Sequence, residues 1–239
     1  MSRLQYDIAI LPHDEPSVRQ WAARFIEFRL GALKAAPASF SSSYEKEARI
    51  SKAQWISLLC EPAYRVVVGI IRTDDQHALP VWEREWVLIS NLYGPRCHHQ
   101  PYHDHAGDCQ EMSWYLAAAF VSAQHRQGGI LREAFLACER AAVSEDKKLF
   151  QKRQHAQPLR LYRHRSNQFR TRLLATTQSK SPALLNYYRS VGLEISHTLM
   201  LRDLAEWRWK IALDPDGLDK EVTVMEKIIP WEAQPLARL

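Results

Sequence analysis

Apolar and polar positions near the start of the chain predict one strand and two helices. The alternation over Tyr6–Leu11 predicts a β-strand that ends in the Pro12–Pro16 stretch. Ser17–Gln20 has the pattern of a capping box, and apolar residues then recur at helical spacing at Trp21, Phe25, Phe28 and Leu33. Ser51–Gln54 repeats the capping pattern ahead of Trp55, Leu58 and Leu59.

The middle of the chain has three strand patterns and one helix pattern. Arg65–Arg72 and Trp82–Leu92 are rich in β-branched and apolar residues, and Thr73–Pro80 between them has the composition of a turn. Trp114–Val121 is a continuous run of eight apolar residues, which is typical of a strand buried on both faces. Helical periodicity follows at Ile130, Leu131, Ala134, Phe135, Cys138, Ala141 and Ala142.

The last third predicts three strands and one helix. Arg172–Thr176 is strand-like, Ser181-Pro182 opens a helix that Gly192 ends, and Glu194–Asp203 and Glu221–Ile229 form two closing strands. The order β-α-α-β-β-β-α-β-α-β-β indicates one mixed α/β domain over residues 1–239. Insertions are expected near residues 93–110, 149–170 and 204–220.

Composition excludes several classes of protein. The eight-residue apolar run is far shorter than the roughly 20 residues that a membrane-spanning helix needs, so we expect no membrane segment. Asp7 and His13 come before any apolar stretch that could form a secretory signal. Four cysteines with no Cys-x-x-Cys motif favour a reducing, cytoplasmic setting, with the nucleus open. The net charge of +5 fits either a polyanionic ligand or an ordinary solvated surface.

The only adjacent glycines, Gly128-Gly129, follow the buried strand and open the next helix. Backbone N–H groups at such a helix start, unobstructed by side chains, can bind phosphate oxygens, and Arg126 adds positive charge. A plain strand-to-helix turn is the alternative interpretation.

The wider context resembles a known family. Val121–Leu131 resembles the acyl-CoA loop of the GNAT N-acetyltransferases, whose pattern is Arg/Gln-x-x-Gly-x-Gly/Ala, and Ser181–Leu193 resembles that family's Tyr-x-x-x-Gly-Phe helix. Ala36–Glu47 is similar to the early helix-pair region of many members. The element order agrees from Tyr6 to Ile229. The chain departs from the family patterns at Leu131 (usually Gly or Ala), Ser181 (often Asn) and Leu193 (usually Phe).

The resemblance implies a GNAT fold, with a central, mostly antiparallel twisted sheet that splays between strands four and five and is flanked by helices. It implies that acetyl-CoA is the co-substrate. Main-chain groups of Ala119, Phe120 and Val121, together with Ser181, are expected along the pantetheine arm. The pyrophosphate is expected near the loop residues Arg126, Gln127, Gly128, Gly129, Ile130 and Leu131.

The resemblance also implies direct attack of an amine on the thioester, which requires an acid and a base. Tyr188 matches the family's acid position, although Leu184, Leu185 and Tyr188 also form a core stripe, and Tyr187 is the fallback. Glu111 is the candidate base, with Asp108 and His125 as weaker candidates and a solvated carboxylate as the structural alternative for Glu111.

Phe40, Tyr44 and Trp114 are candidate contacts to the acceptor, from their expected positions near the helix-pair loop and the buried strand. The acceptor is a primary amine on a small molecule or a peptide. Monomer and homodimer both remain open, and so does a member of the family that binds acyl-CoA without turnover.

Two segments have unusual compositions. Cys97–Cys109 carries cysteines and histidines without a recognised zinc spacing, so a surface loop is favoured over a metal site and no metal is expected. Lys152–Arg172 has seven basic residues and no acidic ones, which could form an RNA- or membrane-surface patch. Because the segment lacks regular aromatic interleaving and is expected to lie away from the acyl site, a solvated insertion or an oligomer contact is favoured. Cys138, on an apolar helix face, is expected to be an inert core thiol.

Overall fold

The structure, a computed structural model, describes residues 5–72, 79–97, 111–156, 169–178, 182–203 and 219–231. Its helices are α1 (Glu15–Ala35), α2 (Tyr44–Glu47), α3 (Lys52–Leu59), α4 (Ile130–Ala156) and α5 (Pro182–Ser190). Its strands are β1 (Tyr6–Ile10), β2 (Tyr64–Ile71), β3 (Trp86–Cys97), β4 (Glu111–Val121), β5 (Arg170–Gln178), β6 (Glu194–Met200) and β7 (Glu221–Pro230). The predicted order of strands and helices is confirmed, with the short helix α2 added.

The sequence predicted the N-terminal cap of α3 correctly, but not that of α1. At α3 the Ser51 and Gln54 side chains form the predicted capping box. At α1 the predicted box at Ser17 is wrong, because the carboxylate of Asp14 accepts a hydrogen bond from the Ser17 backbone N–H at 3.0 Å and the helix begins at Glu15. A carboxylate cap followed by Pro16 in the first turn is itself a strong helix start.

Other predicted boundaries shift by several residues. Residues Val81–Glu83 form a 3-10 turn, so β3 begins at Trp86 and continues to Cys97, into the region predicted as an insertion. Helix α4 continues through Ala156, so the first part of the predicted 149–170 insertion is helical. Residues 98–110, 157–168, 179–181 and 204–218 lie outside the described ranges, and with them Ser181, Asp108 and most of the two compositionally unusual segments.

The seven strands form one sheet in the order β1-β2-β3-β4-β5-β7-β6. Every neighbouring pair is antiparallel except β4 and β5, which run parallel. Their pairing extends from Glu111–Arg170 to Leu116–Ala175 and then stops, although both strands continue. The sheet therefore opens beyond Leu116 and Ala175, which confirms the predicted splay between the fourth and fifth strands.

Helices cover both faces of the sheet and define two apolar cores. On one face α1 and α3 bury Trp21, Phe25 and Trp55 against side chains of β2 and β3. On the other face α4 and α5 pack on the sheet around Phe135, and the fully buried Cys138 lies in this core. Burial raises the pKa of Cys138 to about 12, so the thiol is inert, as predicted.

A buried polar cluster joins α4 to the sheet. Asp146, which is 0% exposed, accepts hydrogen bonds from Trp114 Nε1 at 2.8 Å and from Thr171 Oγ1 at 2.6 Å. Thr171 in turn accepts one from Trp231 Nε1 at 2.9 Å. Burial raises the pKa of the Asp146 carboxyl to about 6, because its two hydrogen bonds only partly replace the lost hydration.

No helix in the described part of the chain combines the length and the apolar character needed to cross a membrane.

Candidate functional site

The loop between β4 and α4 presents a row of backbone donors. The first backbone hydrogen bonds of α4 run from the N–H groups of Arg132 and Glu133 to the carbonyl of Gly129. Within the described part of the chain, no acceptor pairs with the N–H groups of residues 127–131. These five donors lie at the start of a 27-residue helix, where the positive end of the helix dipole adds to them. The arrangement suits an anion such as a phosphate.

The structure explains why glycine occupies positions 128 and 129 of this loop. Gly129 has φ +79°, a conformation that favours glycine, and an added Cβ would meet no atom within 4 Å, so its surroundings are open. At Gly128 a Cβ would lie 3.3 Å from the ring of Tyr6. The Tyr6 hydroxyl is 3.2 Å from His125 Nδ1, so the loop is fastened to β1.

The side chains of Arg126 and Leu131, both predicted to lie near the pyrophosphate, make contacts within the protein. Arg126 Nε donates to the carbonyl of Val121 at 3.2 Å, and its guanidinium lies 5.6 Å from the ring centre of Phe120. The side chain of Leu131 packs on the α4-side core and its carbonyl accepts a hydrogen bond from Tyr187 at 2.9 Å. The backbone N–H of Leu131, rather than its side chain, is therefore the group open to a ligand.

Beyond the splay, one edge of β4 pairs with no strand in the described part of the chain. Residues 117–121 continue past the last pair with β5, while on the other edge Ala117, Phe120 and Val121 still pair with β3. Ala118 has φ 55° and lies where the register with β3 shifts. Ala119 is exposed, whereas Phe120 packs on the α1 side. The unpaired N–H and C=O groups of this edge can accept an extended chain bearing amides.

Tyr188 on α5 packs against the core that contains Leu116 and Ala175, the last pair of β4 and β5 before the splay. Its half-buried ring packs on the α4-side core. Burial raises the pKa of its phenol, and the neighbouring Tyr115 phenol raises the pKa further. Tyr188 therefore stays protonated at neutral pH and can donate a proton. The adjacent Tyr187 is occupied, because its hydroxyl donates to the carbonyl of Leu131.

Two further hydroxyl groups at this point were missed in the sequence. The Tyr115 hydroxyl is hydrogen-bonded to Thr176 Oγ1, one residue past the last β4–β5 pair. We call Tyr115, Thr176 and Tyr188 the hydroxyl cluster. Tyr115 is hidden within a continuous apolar run, and the place of Thr176 depends on where β5 parts from β4. Neither residue had a local sequence signal for this role.

Two of the three predicted acceptor contacts lie beside the bulge at Ala118. Phe40 and Tyr44 pack in one cluster with Ala118 and Phe120. The guanidinium of Arg29 lies 4.5 Å from the ring centre of Phe40. Phe40 is 8% exposed and Tyr44 is partly exposed, so Tyr44 offers more surface to a ligand.

Arg29 forms a buried ion pair that fixes the loop after α1. Its Nε and Nη2 donate to the Glu47 carboxylate at 2.8 and 2.6 Å, and both residues are less than 9% exposed. The pair joins α1 to α2 and so holds the intervening Phe40 and Tyr44 against β4. A bidentate arginine–carboxylate pair has a fixed geometry, which suits this positioning role.

The prediction that Trp114 contacts the acceptor is wrong. Trp114 is 1% exposed, lies in the core beneath α4, and donates its indole N–H to Asp146. Side chains alternate along a strand, so Trp114 and Tyr115 point to opposite faces of the sheet. Tyr115 has the position on the α1 side that the sequence analysis gave to Trp114.

The structure places Glu111, the predicted base, in a network of ion pairs at the start of β4. Its carboxylate is ion-paired with Arg170 and with Arg172, whose Nε donates to it at 2.5 Å; Arg172 also pairs with Glu226. Glu111 is six residues before Ala117, which corresponds to about 20 Å along the strand. It therefore lies far from the splay. The weaker candidate His125 is 9% exposed and contacts Tyr6 instead of the splay.

Among the side chains of the described ranges, no group of three or more His, Cys, Asp and Glu residues is arranged to hold a metal ion. The Cys97–Cys109 segment lies almost entirely outside those ranges.

Comparisons with known proteins identify the fold. No protein-family profile matches the chain, and no curated protein matches its sequence. Among solved structures, a candidate acetyltransferase of Acinetobacter baylyi is similar over 98% of both chains, with TM-score 0.54 and 9% identity. The spermidine N-acetyltransferase of Vibrio cholerae, solved with CoA and spermine, is similar over 94% of this chain and 96% of its own, with TM-score 0.52 and 10% identity.

A third similar structure is NAA60 of Arabidopsis thaliana in complex with a bisubstrate analogue. The match covers 95% of this chain and 100% of that one, with TM-score 0.51 and 8% identity. At such low identities the shared property is the arrangement of strands and helices. The splayed sheet, its strand order and these likenesses together establish that the chain has the fold of the GNAT acetyltransferases.

Proposed function

We propose that the protein is an N-acetyltransferase that moves an acetyl group from acetyl-CoA directly to a primary amine. The observation that carries the proposal is the continuity of three features: free N–H groups at residues 127–131, the unpaired edge of β4, and the hydroxyl of Tyr188 at the splay. They match the three parts of acetyl-CoA in order, namely the pyrophosphate, the amide-bearing pantetheine arm and the thioester. The CoA in the similar Vibrio cholerae structure supports this reading.

The backbone provides most of the proposed binding. The N–H groups of residues 127–131 would hold the pyrophosphate oxygens, and Gly129 leaves the approach open. The main chain of residues 117–121 would bind the pantetheine amides, since its edge toward β5 is unpaired. A donor on this edge would also stabilise the negative charge that develops on the thioester oxygen. The net charge of +5 favours a ligand with several phosphates.

The proposed chemistry needs one proton removed and one supplied. An alkyl ammonium has a pKa near ~10 and must lose a proton before its nitrogen can attack. Tyr188 would give its proton to the leaving sulfur, a role that suits a phenol whose pKa is raised by burial. Glu111 is not proposed as the base, because its carboxylate is held by two arginines far from the splay.

The acceptor side is proposed to lie on the α1 face, where Phe40 and Tyr44 pack beside Ala118. An apolar and aromatic wall there would contact the carbon chain next to the reacting amine. Both the spermine and the bisubstrate analogue in the similar structures are consistent with an amine acceptor. A small-molecule amine and a peptide amine are both compatible with this wall.

The test is a free-thiol release assay with acetyl-CoA and a chemically diverse set of primary amines. Transfer should occur with at least one amine, and Tyr188→Phe should lower kcat by about 100-fold while acetyl-CoA affinity is kept. Tyr187→Phe is the matched control, because it removes an adjacent phenol that only ties α5 to Leu131. Gly129→Glu should abolish acetyl-CoA binding by steric block and charge repulsion.

Two experimental outcomes would indicate a function other than acetyl transfer. Binding of acetyl-CoA with no transfer to any amine would indicate an acyl-CoA sensor. Binding of nucleic acid that weakens steeply with salt would favour the basic segment Lys152–Arg172. In the described part of that segment, Arg170 and Arg172 are already ion-paired within the sheet.

A further inference from the structure

The hydroxyl cluster lies where the β4–β5 ladder ends. Tyr115 pairs with Leu174, the next pair Leu116–Ala175 is the last, and Thr176 is the first residue of β5 beyond it. Thr176 still pairs with Val224 on β7, so its backbone is held although β4 has moved away. The hydrogen bond between Tyr115 and Thr176 therefore bridges the two strands at the point where they separate.

The cluster reaches both faces of the sheet. Tyr115 packs with the α1-side core, where its ring centre is 6.4 Å from that of Tyr93. Tyr188 packs with the core on the opposite face. The Tyr115 phenol is close enough to raise the pKa of Tyr188, and among the described residues no carboxylate has such an effect on Tyr188. The Tyr115–Thr176 hydrogen bond thus lies on the proposed acceptor side of the sheet, and Tyr188 packs on the opposite, proposed thioester side.

We propose that Tyr115 and Thr176 form a hydroxyl relay that takes a proton from the attacking amine and passes one on to solvent, while Tyr188 protonates the leaving sulfur. The proposal rests on the acetyltransferase function above, and the observation that carries it is the Tyr115–Thr176 hydrogen bond at the point where β4 and β5 separate. A hydroxyl group can accept one hydrogen bond while donating another, so a proton can shift along the pair without leaving either member charged.

The proton balance closes with solvent water, starting from the neutral amine whose ammonium proton has already gone to solvent. The amine lone pair forms the C–N bond with the acetyl carbon, the C–S bond breaks, and its electron pair leaves on sulfur. Nitrogen gives one proton to the oxygen of Tyr115, Tyr115 gives its own proton to Thr176, and Thr176 gives its own to water. Tyr188 gives one proton to sulfur and regains one from water, so each hydroxyl again holds one proton, and the products are an amide and a thiol.

The relay is tested with four variants that alter single groups. Tyr115→Phe removes the relay phenol and keeps the ring, and Thr176→Val removes the hydroxyl and keeps the shape. Thr176→Ser keeps the hydroxyl and should retain activity. Tyr93→Phe is the matched control, because Tyr93 is a neighbouring tyrosine on the same face that lies outside the cluster.

Steady-state rates should separate the relay from a structural role. Tyr115→Phe and Thr176→Val should each lower kcat by about tenfold or more, with the KM for acetyl-CoA unchanged within about twofold. Thr176→Ser should retain clearly more kcat than Thr176→Val, and Tyr93→Phe should keep wild-type kcat. In mixtures of light and heavy water, the wild-type rate should depend on more than one transferred proton, and in Tyr115→Phe on one. Acetyl-CoA titration calorimetry verifies that each variant is folded.

Other results would overturn the relay. Wild-type kcat in Tyr115→Phe, or equal losses in Thr176→Val and Thr176→Ser, would show that the pair only packs. An acidic limb in the kcat–pH profile that is the same in wild type and Tyr115→Phe would assign the proton to a carboxylate base instead. If no amine is acetylated by the wild-type protein, the proposed function itself fails, a result distinct from these.

Discussion

Replacing Asp146 by asparagine should remove a pH-dependent part of the folding free energy. In the folded protein the carboxyl has a pKa of about 6, against an ordinary value of 3.8, because it is buried between α4 and the sheet. Between these two values the folded protein binds a proton that the unfolded chain does not. The stabilisation from this proton is complete below pH 3.8 and is lost as the pH rises through 6.

Raising the carboxyl pKa from 3.8 to about 6 corresponds to about 3 kcal/mol of folding free energy between the protonated and ionised forms. The asparagine side chain in the Asp146→Asn variant would keep an oxygen acceptor for Trp114 Nε1 and has no proton to titrate. The stability of the wild type relative to Asp146→Asn should therefore fall by about 2 to 3 kcal/mol between about pH 4 and about pH 7.5. Using the difference between the two proteins cancels the titration of all other groups.

The measurement is urea unfolding of both proteins at a series of pH values between about 4 and about 7.5. Glu61→Gln, which removes an exposed carboxylate before β2 and outside the buried cluster, is the matched control. A stability difference between wild type and Asp146→Asn that does not vary with pH would refute the argument from burial. So would a wild type that gains relative stability as the pH rises.

Three further substitutions test the packing around the site by urea unfolding. Glu47→Gln should cost about 3 kcal/mol because it leaves Arg29 buried without its counter-charge, and a loss below about 1 kcal/mol would contradict this. Gly69→Ala should cost about 1 to 3 kcal/mol, since its Cβ would lie 2.6 Å from Ile130 Cδ1; Ile130→Val in the same chain should recover part of the loss. Gly129→Ala should cost about 1 kcal/mol because φ is +79°, and calorimetry should show weaker acetyl-CoA binding; unchanged values would place the phosphates elsewhere.

Local sequence signals were sufficient where a short segment decides its own conformation. The capping box at Ser51 depends on four consecutive residues, and the glycine pair at 128–129 marks a backbone that needs a positive φ and open space. The order of strands and helices was likewise predicted from periodicity. At α1 the predicted cap at Ser17 was wrong, because the side chain of Asp14 caps the helix.

The sequence could not predict to which face of the sheet each residue of β4 points. A continuous apolar run carries no polar positions to mark one face, so Trp114 and Tyr115 were indistinguishable as acceptor contacts. Glu111 looked like a free carboxylate at the mouth of a strand because its partners Arg170 and Arg172 are about sixty residues away in the chain.

By itself, the sequence determined the mixed α/β architecture and the position of the glycine loop, because both follow from interactions between residues close together in the chain. Only the tertiary structure decided which phenol and which hydroxyl meet at the splay. That meeting depends on where the parallel pairing of β4 and β5 ends, between Ala175 and Thr176, and on the packing of α5 against the opposite face. Register between distant strands is set by the burial of whole faces of the sheet, which no local pattern encodes.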